Sequence, residues 1–318
     1  MKKFNKRFGK IFKRVGPPVV AVSLLVNVLL IGMLVKNKTK VASPSAAPPT
    51  KTDQASVQER NDVFAEINPV NGYQLDVTYG DLGPKMLSAG VIDFDKFKNI
   101  YEKGGQPLTQ DQLDVLTQNT DKKITITRTN AYFLLNFFWA LGLANQSKIL
   151  TDGAMVKQAP GQTANFASTG GWSLGKGDPM NYYAKSNLIS LTSDQETEVE
   201  NVSNNIYRPC CDNPTSFPDC NHGMALLGML QLMAAHGASE NQMYDAAKYF
   251  NAFWFPSNYY DLALYFKNKE GESFSQIPGS VILGRDYSSA SGWQAAKQWL
   301  TNKGIVQPPP QQSGGCGV

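Results

Sequence analysis

Histidine is nearly absent from this chain: 318 residues contain two, His222 and His236. That scarcity removes histidine-rich metal sites. It also leaves no Ser–His–Asp arrangement to defend, so the sequence points to binding or structural chemistry before catalysis. Cysteine is also scarce, with four residues and none before Cys210. A lipid-modified cysteine near the start is therefore excluded, and so is a disulfide-dense mini-domain. Acidic residues are missing from residues 1–40, which carry ten Lys and Arg. The net charge of +4 misleads for that reason, because the remainder holds 20 basic against 26 acidic residues. A mildly acidic remainder offers no basic face for nucleic acid. No internal repeat is visible.

Residues 1–17 are basic, and residues 18–36 contain an apolar run, Val19 to Val35, broken only by Ser23, Asn27 and Gly32. The run is at the short end for a transmembrane helix, and the positive excess before it sets the N-terminus in the cytoplasm. Lys36, Lys38 and Lys40 follow directly, which favours an uncleaved signal anchor over a cleaved signal peptide. The expected location is a cell membrane, single-pass, with the bulk of the chain outside. Residues 37–59 are rich in Pro, Ala and Ser and read as a linker. Residues 60–306 have the pattern of a globular domain, long enough to bury a core unaided. Residues 307–318 are a Gly/Pro tail carrying Cys316.

The fold expected is mostly α: one N-terminal transmembrane helix followed by one compact multi-helix ectodomain. Helices are expected over residues 81–90, 94–103 and from Thr109, each opened or closed by a capping signal. Residues 123–128 alternate as a short strand or an extended link. Residues 130–144 are apolar nearly all round but too short to span a membrane comfortably, so a buried core helix is expected. Further helices are read over 191–206, 239–253, 259–269 and 289–302. Gly170 to Lys176 fits the first seven positions of a phosphate-binding loop. Gly177 stands where that loop needs Ser or Thr, and no apolar strand precedes it, so a plain loop with Trp172 packed down or lining a cleft is the reading.

The chemistry concentrates in residues 207–223, Y-R-P-C-C-D-N-P-T-S-F-P-D-C-N-H-G. Three cysteines, Cys210, Cys211 and Cys220, stand there with His222. An apolar helix follows, with Asp219 as its expected N-cap and Cys220 and His222 in its first turn. Exposed N–H groups at a helix start favour a thiolate and a neutral imidazole, the states a borderline metal requires. Zinc in a structural role is the first expectation and copper the second. Adjacent side chains diverge, which leaves open whether both Cys210 and Cys211 reach one ion or one pairs with Cys316 or stays buried. Met224, two residues beyond His222, is a further candidate ligand, as is Cys316.

Two rival readings share the same residues. One is a cell-envelope interaction or scaffold domain stapled by disulfides, Cys211 to Cys220 among them, with no metal cofactor. The other is a thiol–disulfide oxidoreductase. Trp172, Trp254, Tyr259 and Tyr260 are candidates for an aromatic surface that meets a partner protein or a glycan. His236 sits where a cation suits a helix C-terminus and needs no further role.

Overall fold

Two helices with almost no polar face lie at the centre, and glycine lets them touch. The computed structural model describes residues 51–306, and its larger compact unit begins at Ser56. Helix α5 is Ala131–Ala144 and helix α9 is Asn221–Ala235. They cross at Gly142 and Gly228. A Cβ on Gly142 would stand 2.1 Å from the Met224 carbonyl oxygen, and one on Gly228 would stand 2.6 Å from that of Phe138. Only hydrogen fits at either position, so the backbones meet directly. The polar exception on α5 is Asn136, whose amide donates to the Tyr101 hydroxyl at 2.9 Å. The expected core helix over 130–144 is therefore present, and it is buried.

The other elements cover this pair. In chain order α1 is Lys51–Ile67, β1 Tyr73–Gly80, α2 Leu82–Ala89, α3 Phe94–Lys103, α4 Gln110–Thr117 and β2 Thr120–Ile126. After α5 come the short α6 (Lys148–Thr151) and α7 (Ala154–Gln158), an irregular stretch over 159–192, and α8, Ser193–Asn204. After α9 come α10 (Glu240–Trp254), α11 (Pro256–Lys269), the short α12 (Gly279–Ile282) and α13 (Arg285–Ser288), and α14, Ala290–Asn302. Three helices start with the same device. Thr109, Thr192 and Ser239 accept from the backbone of Gln112, Gln195 and Gln242, whose side chains bond back. Each box satisfies two N–H groups the helix cannot pair internally.

The mostly α reading holds, with one addition. β1 and β2 form an antiparallel pair in register Tyr73↔Ile126 and Gly80↔Thr120, with irregularities between. β2 starts three residues earlier than the alternation at 123 suggested. β1 was not anticipated, although Leu75, Val77 and Tyr79 alternate inward along it. α1 begins at Lys51, inside the stretch read as linker to residue 59. Prolines cease before that point, so nothing in 51–59 blocks a helix. Among the described residues no helix is long and apolar enough to cross a membrane. The apolar run at 18–36 and the tail at 307–318 lie outside the described residues.

Trp172 is packed down, as the loop reading expects, and so drops out of the candidate aromatic surface. It is 1% exposed and its indole N–H donates to the Val91 carbonyl at 2.7 Å. It pins the irregular stretch to the body of the fold and is not a surface residue. The glycines beside it make tight turns: a Cβ on Gly170 would meet the Ala164 carbonyl oxygen at 2.0 Å. The Gly-rich segment is thus a packed turn, in keeping with a plain loop. Tyr259 is likewise enclosed, with its hydroxyl 2.7 Å from Ser288 Oγ. Both rings bury more apolar surface inside than a surface position would allow.

Candidate metal centre

Residues 207–220 form a loop tied down at both ends and in the middle. The Thr215 N–H and hydroxyl both donate to the Ile206 carbonyl, at 2.8 and 3.0 Å. The Tyr207 N–H donates to Leu283 O at 2.8 Å, and Asn251 donates to Tyr207 O at 3.0 Å. Asp212 accepts from the Ser291 N–H and hydroxyl at 2.8 and 2.7 Å, fastening the first turn of α14. The Ser168 N–H donates to Asp219 O at 3.2 Å, joining the irregular stretch. The loop is therefore a junction between α9, α10, the α12–α14 segment and residues 159–192.

A turn with Cys211 N–H donating to Arg208 O at 3.2 Å places the two adjacent cysteines on the same side. Cys210 Sγ lies 4.0 Å from Cys211 Sγ and 3.4 Å from Cys220 Sγ. All three sulfurs lie within 4.8 Å of one another. Tetrahedral zinc with Zn–S bonds of about 2.3 Å needs sulfurs about 3.8 Å apart, which the separations from Cys210 bracket. Both cysteines of the pair thus come within reach of one point together with Cys220. Cys210 is exposed; Cys211 and Cys220 are half-buried.

Cys220 itself, not Asp219, is the N-cap of α9. Its sulfur accepts from the Gly223 N–H at 3.4 Å. Asp219 is drawn away by a residue that sequence reading passed over, Arg208. This guanidinium is completely buried. Its Nη2 donates to Cys211 Sγ at 3.1 Å and to Asp219 Oδ1 at 3.2 Å, and Nη1 donates to Thr215 Oγ1 at 3.3 Å. Nε has no partner. Asn213 donates to the other Asp219 oxygen at 2.8 Å. The guanidinium packs flat on Gly223, where a Cβ would stand 2.8 Å from Cζ. Glycine is required there to make room for Arg208.

Charge follows from this packing. Burial works against the Arg208 cation, but the sulfurs of Cys220, Cys211 and Cys210 together with Asp219 outweigh it and keep it charged. Cys220 is held well below the usual thiol range. Hydrogen bonds from Cys210 and Cys211 do most of this, with Arg208 and the neighbouring His222 ring adding to it against burial. Cys210 is pushed up because it donates to Cys211 and Cys220 and is desolvated. Cys211 is pushed up as well: its bond with Cys210 favours the thiolate, but its bond with Cys220 and burial prevail. Of the three sulfurs, Cys220 is the one the surroundings most favour as a thiolate.

The remaining candidates fall in different places. The His222 ring packs against Phe255 at 4.4 Å and edge-on to Trp254 at 5.6 Å between centroids. It neighbours Cys220 but is not in the mutually close group, which is the three sulfurs. Trp254 is half-buried, with its indole N–H donating to Ala131 O at 3.0 Å, so it walls the site. Tyr260 is half-buried. Met224 is fully buried in the core of α9. Cys316 lies outside the described residues. His236 places Nδ1 2.9 Å from Leu232 O and closes its own helix. Arg208, Asp219 and Gly223 complete the site. Their one signal in sequence was position, R-P-C-C at one end and D-C-N-H-G at the other.

A cysteine cluster able to hold a metal is what the arrangement provides. No family model, curated protein or solved structure matches the chain.

Proposed function

We propose that residues 207–223 form a structural transition-metal site, zinc before copper, in a membrane-anchored extracytoplasmic protein. Cys210, Cys211 and Cys220 supply three thiolates and His222 the fourth ligand. The observation that carries the reading is the approach of three sulfurs, from two ends of a loop, to within 4.8 Å. Three thiolates on a divalent ion leave one negative charge, and the buried Arg208 cation stands against it. A nitrogen ligand on the fourth corner suits tetrahedral zinc; three sulfurs alone suit cuprous copper. The role is structural because the loop joins four segments, and an ion there would fasten its two ends together.

The membrane half of the proposal rests on the sequence. The basic residues 1–17 and the apolar run 18–36 favour a single-pass anchor with its N-terminus in the cytoplasm. The partner expected outside is a cell-envelope protein or glycan. Of the aromatic candidates for such a surface, Trp254 and Tyr260 remain partly accessible.

Elemental analysis with a free-thiol count on the purified chain tests the metal reading. The expected result is one zinc per chain, with three thiols that become reactive only after a chelator is added. A metal-free chain with those thiols already oxidised would replace it with the disulfide-stapled scaffold.

A further inference from the structure

The three sulfurs are not equivalent, and the difference bears on how an ion would leave. Cys211 is engaged from behind: Arg208 donates to it at 3.1 Å, and its thiol points to Asp219 at 3.7 Å. Cys210 has no such hold among the described residues. It is exposed, and its nearest sulfur is Cys220 at 3.4 Å, across the loop. A disulfide needs that separation to close to about 2.05 Å, a movement of about 1.4 Å at the tip of a turn. The adjacent pair is a poorer match. Neighbouring Cα atoms are about 3.8 Å apart across a trans peptide, below the usual disulfide range of about 4.4–6.8 Å. Linking Cys211 to Cys220 would pull Cys211 from the buried guanidinium.

We infer that the bound metal and a Cys210–Cys220 disulfide are alternative states of the same two sulfurs, so that a small-molecule disulfide ejects the ion. The inference rests on the metal reading above and adds its regulation; it also replaces Cys211 with Cys210 in the expected disulfide. The chemistry is ordinary exchange. The exposed Cys210 sulfur, kept as a thiolate by the ion it would ligate, attacks one sulfur of the oxidant, whose S–S bond breaks and releases one thiolate. Cys220 then attacks Cys210 in the mixed disulfide, and the second thiolate leaves. Two electrons pass from the two cysteines to the oxidant, whose two halves depart as thiolates and take protons from water. The ion has lost two of its three sulfur ligands and dissociates. Cys211 remains reduced in the grip of Arg208.

The test uses the zinc-loaded chain, oxidised glutathione as the probe and a chromogenic chelator to read released zinc. Peptide mapping identifies the cysteines joined. The expected result is one zinc lost for each two thiols lost, a Cys210–Cys220 link, and recovery of binding after reduction. Cys211→Ser keeps the link, and Cys210→Ser loses it. A link that includes Cys211, or zinc retained after Cys210 and Cys220 are joined, overturns the inference while the metal reading stands. A reduced chain that takes up no zinc at all ends both, and the zinc-loading step reveals that before any oxidant is added.

Discussion

Replacing Gly223 with alanine puts a methyl carbon 2.8 Å from Cζ and Nη2 of Arg208 and 3.2 Å from Nε. Carbon in ordinary contact needs about 3.5 Å, so the guanidinium must retreat by about 0.7 Å. It has nowhere easy to go. It is fully buried and bonded to Thr215, Cys211 and Asp219. Overpacking a tight site costs about 1–3 kcal/mol, and stretching a charge-assisted hydrogen bond adds about 1.5 kcal/mol or more. Alanine returns up to about 1 kcal/mol through helix propensity. The net expectation is a loss of about 2 kcal/mol, which in a domain of this size lowers Tm by about 4–8 °C. Thermal and urea unfolding of the wild type, Gly223→Ala, Arg208→Ala and the double variant measure it. With Arg208 removed the methyl has room, so the alanine should become neutral or stabilising. The cycle should then show a coupling of at least about 1 kcal/mol. A Gly223→Ala protein as stable as the wild type, or equal costs with and without Arg208, would refute the packing described.

Other parts of the fold carry simpler consequences. Asn145 is fully buried, and its side-chain oxygen accepts from the Leu188 and Ile189 N–H groups at 3.0 and 2.9 Å. Asn145→Ala leaves two buried donors unpaired, at about 1–3 kcal/mol each, so the urea midpoint should fall with an unchanged slope. A cost below about 0.5 kcal/mol would contradict this. Burial raises the phenols of Tyr79, Tyr101, Tyr183 and Tyr259, and that of Tyr73 up to about 12. Folded values above the unfolded one of about 10 mean that this stabilisation is complete below pH 10 and lost as pH rises beyond it. In a spectrophotometric titration these five should stay neutral near pH 10 and ionise as the fold opens. All 13 tyrosines ionising near pH 10 in a folded chain would contradict it.

Much of the helical frame was legible because its signals are local. The capping boxes at Thr109, Thr192 and Ser239, the cap at Asp93 and the left-handed glycines Gly90, Gly237 and Gly304 lie within a few residues of what they control. β1 escaped notice because its partner, β2, lies about 40 residues on, so only its own short alternation announced it. At the site, the cysteines were visible by residue type, but their convergence depends on a turn at Arg208. Arg208 itself gave no sign of burial, since a charged side chain goes inside only where tertiary partners meet it. The same absence of local information misled on Asp219, whose carboxylate serves Arg208 and leaves the cap to Cys220. Trp172 and Tyr259 show the limit for aromatics: ring type is the same at a surface patch and in a core.

The most direct measurement is X-ray absorption at the zinc edge on the reduced chain loaded with one equivalent of the ion. The account predicts three sulfur neighbours at about 2.3 Å and one nitrogen at about 2.0–2.1 Å. A first shell of oxygen and nitrogen with at most one sulfur would contradict it.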